Sequence, residues 1–246
     1  MPVDNTLMIS LTHQLALRRQ MDVTANNLAN MSTAGFKTET VLFEPVQRRP
    51  AAAAEQPTKI SFVRDWTVLR DFRNGSLTTT NNPLDVALSD EGFFVVQGPQ
   101  GPLYTRDGQF GIGLQGELVT REGRAVLDES GAPITIQTDA EPPTINEAGE
   151  IYQNDALVGR IGVVRFERPG ALEKIGENLW AQADEAPTPA PEARFAQGQI
   201  ENSNVVPVVE LTRMMEIARA YESATRLQRQ ADDMRQRSLE RLARVS

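Results

Sequence analysis

The sequence predicts a mainly β protein with helical ends, in which an N-terminal and a C-terminal α-helix pair as a coiled coil around one antiparallel all-β central domain. Three observations lead there. Heptad-like apolar spacing is confined to the two ends of the 246-residue chain. The middle alternates short apolar runs with glycine-bearing turns. Charge divides along the same lines: residues 1–50 carry five basic and four acidic side chains and residues 210–246 carry eight and six, leaving 12 basic and 23 acidic in between, a net of −11.

Residues 5–30 contain no Gly or Pro, and Leu7, Leu11, Gln14, Arg18, Met21, Ala25 and Leu28 follow the four-three spacing of a helical seam. Asn30 and Gly35 both tolerate left-handed backbone, so the helix is expected to stop there, with Phe36 pinning the emerging chain. Residues 36–74 read as a linker and extended segment. Within them, the Ala51 to Ala54 run between Pro50 and Pro57 separates the helix from an alternating strand at 62–69.

The β domain is assigned to residues 75–183. Strands are expected at 84–88, 92–97, 103–106, 117–120, 125–127, 134–137, 150–153 and 160–167, with turns at Asp90-Glu91-Gly92, Asp107-Gly108, Glu122-Gly123 and Ser130-Gly131. Pro187, Pro189 and Pro191 mark a second linker over 184–199. Residues 200–246 return to helical spacing through Met214, Ile217, Tyr221, Ala224, Gln228, Ala231, Arg235, Ser238 and Leu242. At 1.5 Å per residue the two helices are rods of roughly 40 and 60 Å. Residues 1–35 and 200–246 thus form one helical domain, with Leu211 joining the seam residues as an assembly position.

Several function classes are excluded. The acidic middle lacks the clustered Lys and Arg that neutralise phosphates, so no nucleic-acid partner is expected. No window approaches the roughly 18 apolar residues of a membrane span. The start Met1-Pro2-Val3-Asp4-Asn5 has no basic or apolar leader region, so export without a cleaved signal is expected. The chain has no Cys, and its one His, His13, has no second His or Cys with which to share a metal, so neither metal nor cofactor is expected. Acidic residues are scattered through turns and nominate no acid–base pair. No enzyme is indicated.

Residues 23–30, with Asn26, Asn27, Leu28, Ala29 and Asn30, and the following Ser32-Thr33-Ala34-Gly35-Phe36-Lys37 closely resemble the N-terminal signature of the bacterial flagellar axial proteins, the rod and hook subunits. The blocks at 83–88, 91–96, 104–110 and 116–120 are similar to that family's β-domain blocks. Glu201-Asn202-Ser203-Asn204-Val205 and Arg219-Ala220-Tyr221-Glu222 are similar to its C-terminal block. The resemblance runs through most of the chain in the family's order. The sequence departs from it at Met31, where Val is common, and in its arginine-rich tail.

The resemblance implies a structural subunit exported through the flagellar type III apparatus, assembling helically with itself and with other rod proteins in the periplasmic part of the basal body. Its terminal helices would line a hollow axis, and the assembly would transmit torque and pass later subunits. Within the family, the single compact β body favours the proximal rod, with a distal rod or hook-type subunit as the alternative. Leu7, Leu11, Met21, Leu28, Met214, Ile217, Tyr221 and Ala224 would pack helix on helix, while Asn26, Asn27 and Asn30 would satisfy polar groups at the helix end. The polar breaks at Gln14, Arg18, Gln228 and Arg235 predict helices that fray in the free subunit. An exported adhesive or carbohydrate-binding β module is the reading from another class, and it requires exposed aromatics from a chain that is only 6% aromatic.

Overall fold

The computed structural model describes residues 3–48, 60–176, 178–182 and 185–243. The chain forms two compact units, one built from residues 1–29, 39–69 and 206–246, the other from 30–38 and 70–205.

The first unit contains helix α1 (Val3–Ala29), strands β1 (Glu39–Arg48) and β2 (Ile60–Arg70), which pair as a two-stranded sheet, and helix α2 (Pro207–Ala243). β2 is the strand expected at 62–69, whereas β1 occupies a stretch read as linker; the Ala51 to Ala54 run lies outside the described residues. Pro207 opens α2 because the first helical residue needs no donor N–H. Glu210 lies in that first turn, where a carboxylate meets the positive end of the helix dipole. Among the described residues, no helix is long and apolar enough to cross a membrane.

Apart from one short 3-10 helix at Pro169–Ala171, the second unit is built on antiparallel strands. Along the chain these are β3 (Leu77–Thr79), β4 (Val86–Leu88), β5 (Phe93–Gln97), β6 (Pro102–Thr105), β7 (Phe110–Ile112), β8 (Leu118–Thr120), β9 (Thr144–Ile145), β10 (Glu150–Gln153) and β11 (Ala156–Arg160). After them come β12 (Val163–Arg165), β13 (Glu173–Gly176), β14 (Leu179–Ala181), β15 (Thr188–Pro189), β16 (Phe195–Gln197) and β17 (Gln199–Glu201). Six strands make the main sheet in the order β13-β14-β6-β5-β12-β15, a second sheet runs β11-β10-β9, and β16-β4, β17-β3 and β7-β8 are pairs.

The centre of the main sheet is buried on both faces, and the two-residue period of β5 and β6 sorts its side chains. Phe94, Val96 and Leu103 enter the large core with Val86, Leu118 and Ile151. Phe93 and Tyr104 point the other way, into an aromatic cluster with Phe166, Leu172 and Trp180. There Phe72 meets Phe93 and Trp180 edge to face, with centroids 5.6 and 5.2 Å apart, geometries worth about 1 kcal/mol each beyond burial.

Several local expectations differ from the structure. Residues 125–127 and 133–136 are extended, yet they make single bridges to several neighbours, Val96 to Val126 and Glu117 to Thr135 among them, so they form no regular ladder. Asp107-Gly108 does not close a hairpin, because β6 pairs with β5 and β14 while β7 pairs with β8. Glycine is needed there for a different reason: a Cβ on Gly108 would stand 1.7 Å from the Val86 carbonyl oxygen. The proline-rich stretch at 184–199 contains β15 and β16, which pair with β12 and β4.

Candidate functional site

The residues singled out from the sequence fall in two places, one in each unit. In the first unit, the helices run antiparallel, as two hydrogen bonds establish: Asn27 Nδ2 donates to Glu210 Oε2 at 3.1 Å, and Gln14 Nε2 donates to Gln228 Oε1 at 2.8 Å. The two glutamines that interrupt the apolar seams thus satisfy each other, so both polar side chains sit between helices without an orphaned amide.

On α1 the less exposed stripe passes through Gln14, Leu17, Met21, Thr24 and Leu28, with Val23 and Asn27 alongside. Leu11, Arg18 and Ala25 are exposed, Leu11 at 49%. This stripe keeps the four-three spacing but takes Leu17 and Thr24 where the sequence pattern takes Arg18 and Ala25. Periodicity alone cannot fix that phase when polar residues occupy both alternatives. The side chain of Leu7 lies outside the described residues.

On α2 the stripe is Glu210, Met214, Ile217, Ala224, Gln228 and Ala231. Ile217 is 6% exposed, Tyr221 sits at the margin at 37%, and Leu211 is open at 46%. The side chains of Arg235, Ser238 and Leu242 lie outside the described residues. Val208, Met215 and Leu227 are more than half exposed. Together with Leu211 they leave α2 with apolar surface that the single chain does not cover, the condition under which a second protein surface is expected.

Asn27 is fully buried, and its amide is used at both ends. Its Nδ2 also donates to the Glu39 carbonyl at 2.7 Å, and its Oδ1 accepts from the Glu39 N–H at 2.9 Å. One side chain thereby holds the last turn of α1, the first residue of β1 and the first turn of α2. Glu210 is 3% exposed and accepts from Arg213 at 2.9 Å as well. Asn26 and Ala29 are exposed.

In the second unit, residues 30–38 form a tight entry. Asn30 accepts from the Thr33 N–H and hydroxyl. Gly35 takes φ +66°, and its N–H donates to the Glu201 carbonyl at 2.8 Å. A Cβ there would lie 2.5 Å from the carbonyl carbon of Arg106, so both conformation and space demand glycine. Phe36 is 3% exposed, with the Lys174 ammonium 4.8 Å from its ring centroid.

Lys37, the last residue of the N-terminal motif, is buried at 1%. Its Nζ donates to Glu201 Oε1 at 2.6 Å and to the Arg73 carbonyl at 2.8 Å. Arg106 Nε approaches Glu201 Oε2 to 2.9 Å off the hydrogen-bond axis. Burial lowers the pKa of Lys37, opposed by the Glu201 carboxylate. Asn204 completes the joint: its Oδ1 accepts from the Thr38 N–H and hydroxyl at 2.8 and 2.7 Å, and its Nδ2 donates to the carbonyls of Asp71 and Arg73. A charged residue directly after Gly-Phe, and a lone acid before three polar residues, are the only marks these positions carry in the sequence.

A depression of about 420 Å³ in this unit is lined by Arg70, Phe72, Phe93, Arg106 and Arg165, among others. Its cations are engaged, Arg106 by Glu201 and Arg165 by Glu192 at 2.9 Å. No group of three or more His, Cys, Asp or Glu converges on a metal position among the described residues. The arrangement as a whole holds segments together rather than aiming groups at a reacting atom.

Comparison with known proteins matches that character. Residues 14–37 fit the family described as flagella basal body rod protein, 87–153 the flagellar hook protein FlgE/F/G D1 domain, and 196–242 the flagellar basal body rod FlgEFG protein C-terminal region. A flagellar basal-body rod protein FlgF of Caulobacter vibrioides is 39% identical over 245 residues, covering 99% of this chain and 100% of the relative. One named FlgF from Mesorhizobium japonicum is 35% identical over 93% of each chain, and a FlgG of Buchnera aphidicola is 30% identical over 94% of this chain and 97% of its own. With both terminal regions and the β body matched in order, and a relative aligned along nearly the whole length, this chain belongs to the flagellar basal-body rod proteins and is most like those named FlgF.

Proposed function

We propose that this chain is a structural subunit of the proximal flagellar rod. It has no catalytic task. The observation that carries the reading is end-to-end likeness to FlgF-named rod proteins at 39 and 35% identity. Added to it are two terminal helices whose outer apolar side chains the single chain leaves in water. Copies and other rod subunits cover those side chains, with α1 and α2 as a coiled-coil pair forming the inner layer around a hollow axis. Contacts of this kind are heterologous and do not close, so they generate a helix rather than a ring. The rod then transmits torque and leaves a lumen for subunits exported later.

Delivery is through the flagellar type III apparatus into the periplasmic part of the basal body. The helical seam residues Met21, Leu28, Met214, Ile217 and Ala224 pack within the subunit, while Leu11, Leu211 and Tyr221 meet neighbours.

Electron microscopy of basal bodies from cells lacking the gene, with motility scored alongside, tests the reading. Loss of the rod beyond its base, restored by the intact gene, is expected. Complete basal bodies and normal swimming would overturn it.

A further inference from the structure

The second unit contains a buried charge cluster whose members lie far apart in sequence. Lys37, Arg106 and Glu201 have side chains only 1 to 2% exposed. Two cations touch one carboxylate. Glu201 Oε1 accepts from Lys37 Nζ and from the Gly75 N–H at 2.8 Å, while its Oε2 faces Arg106. Arg106 spends its other nitrogens on the carbonyls of Asp90 and Gly92 and on Asn74 Oδ1. Lys37 and Glu201 are 164 positions apart. The same short C-terminal segment supplies β17, which pairs with β3, and Asn202, which donates to the hydroxyls of Ser76 and Thr78. Asn204 and the Glu201 carbonyl close on residues 35–38.

Burying a cation without its counter-charge is strongly unfavourable, whereas the same cation beside a well-bonded carboxylate is tolerated. A chain presented N-terminus first offers Lys37 and Arg106 early and their shared carboxylate almost last. We propose that Glu201 acts as a completion lock: the unit formed by 30–38 and 70–205 does not hold its fold until segment 199–205 arrives, and that arrival triggers closure throughout the unit. A partly emerged chain then stays unfolded, and the long-range pairing that would be slow in any β topology is deferred to one final step. Use of the lock to keep an exported chain threadable rests on the rod-subunit reading; the folding behaviour itself stands on the cluster.

Hydrogen exchange on the purified full-length chain tests it, comparing the parent with Glu201→Gln and Lys37→Met. Glu201→Gln removes the one carboxylate that both buried cations touch, and exchange is expected to rise by about 100-fold across the whole unit, including β9 to β11, which make none of the cluster's bonds. Lys37→Met leaves Arg106 and Glu201 balanced and is expected to raise exchange by less than about tenfold. Acceleration confined to 30–38, 70–79 and 199–205 would overturn the proposal, since the segment would then be a local strap. An effect of Lys37→Met equal to or larger than that of Glu201→Gln would overturn it too, because packing rather than charge would be at work. Should Glu201→Gln fail to fold, a native-like exchange pattern in Lys37→Met supports the lock, and failure of both variants refutes it. None of these readouts involves a basal body, so intact rods in the deletion strain would sink the rod reading and leave this result standing.

Discussion

Gly35 and Asp107 show how single positions in the motif blocks are constrained by backbone and solvent rather than by chemistry on a substrate. A methyl group at residue 35 would need both a left-handed backbone and room already taken by the Arg106 carbonyl. Gly35→Ala is therefore expected to destabilise the second unit by about 3 kcal/mol in urea titration. Burial pushes the Asp107 carboxyl up from its ordinary 3.8 to about 6, against the bond it accepts from the Gln109 N–H. The folded protein thus holds this proton more tightly than the unfolded chain. Its stabilising contribution is full below about pH 4 and lost as pH rises through about 6. Asp107 keeps part of its surface in water, which limits the cost at neutral pH to about 2 kcal/mol. Asp107→Asn retains the acceptor, so it is expected to be more stable than the parent by that amount at pH 7.5. The gap should close by pH 4, as paired denaturation curves would show.

At the scale of the element, α2 separates two roles that its sequence pattern merges. Ile217 is covered within the subunit, while Leu211, six residues earlier, faces outward. Ile217→Asp is expected to cost about 3 kcal/mol or more, because an unpaired carboxylate would be buried between helices, and helical content by circular dichroism should fall. Leu211→Asp is expected to leave the circular dichroism and melting of the free chain unchanged and to abolish swimming. If Leu211→Asp cells swim normally, that face of α2 meets no neighbour. Asn27 is the third element-scale device. Its amide serves α1, β1 and α2 together, so Asn27→Leu is expected to cost about 3 kcal/mol through the polar groups it would leave unpaired.

For the whole molecule, the two units differ in how their stability is built. The second has a continuous apolar core and a doubly buried sheet. The first depends on two long helices, of which α2 extends about 55 Å and carries several exposed apolar side chains. Helices of that kind gain little until a partner covers them. Limited trypsin digestion of the free subunit is expected to cut first at the exposed arginines of α2, Arg219, Arg226 and Arg229, and to spare the buried Arg106. Cleavage beginning inside residues 70–205 would contradict this ordering of stability.

The chain alone showed the class and order of the parts: helix, β body, helix, with turns and apolar runs in nearly the right places. It did so because period, glycine and proline are local properties that tertiary contacts seldom reverse. It also carried the family, since the terminal motifs are contiguous. The phase of the α1 stripe was decided only in the tertiary structure, where Leu17 and Thr24 rather than Arg18 and Ala25 find cover. So was the pairing of Gln14 with Gln228, which turned two apparent breaks in the seams into one hydrogen bond. The strands inside 39–48, 188–189 and 195–197 were read as linker because each is short of pattern or broken by proline, and their partners lie far along the chain. The joint of Lys37, Arg106 and Glu201 was invisible for the same physical reason. A buried ion pair is a contact between distant residues, and nothing in the local spacing of either partner records that the other will be there.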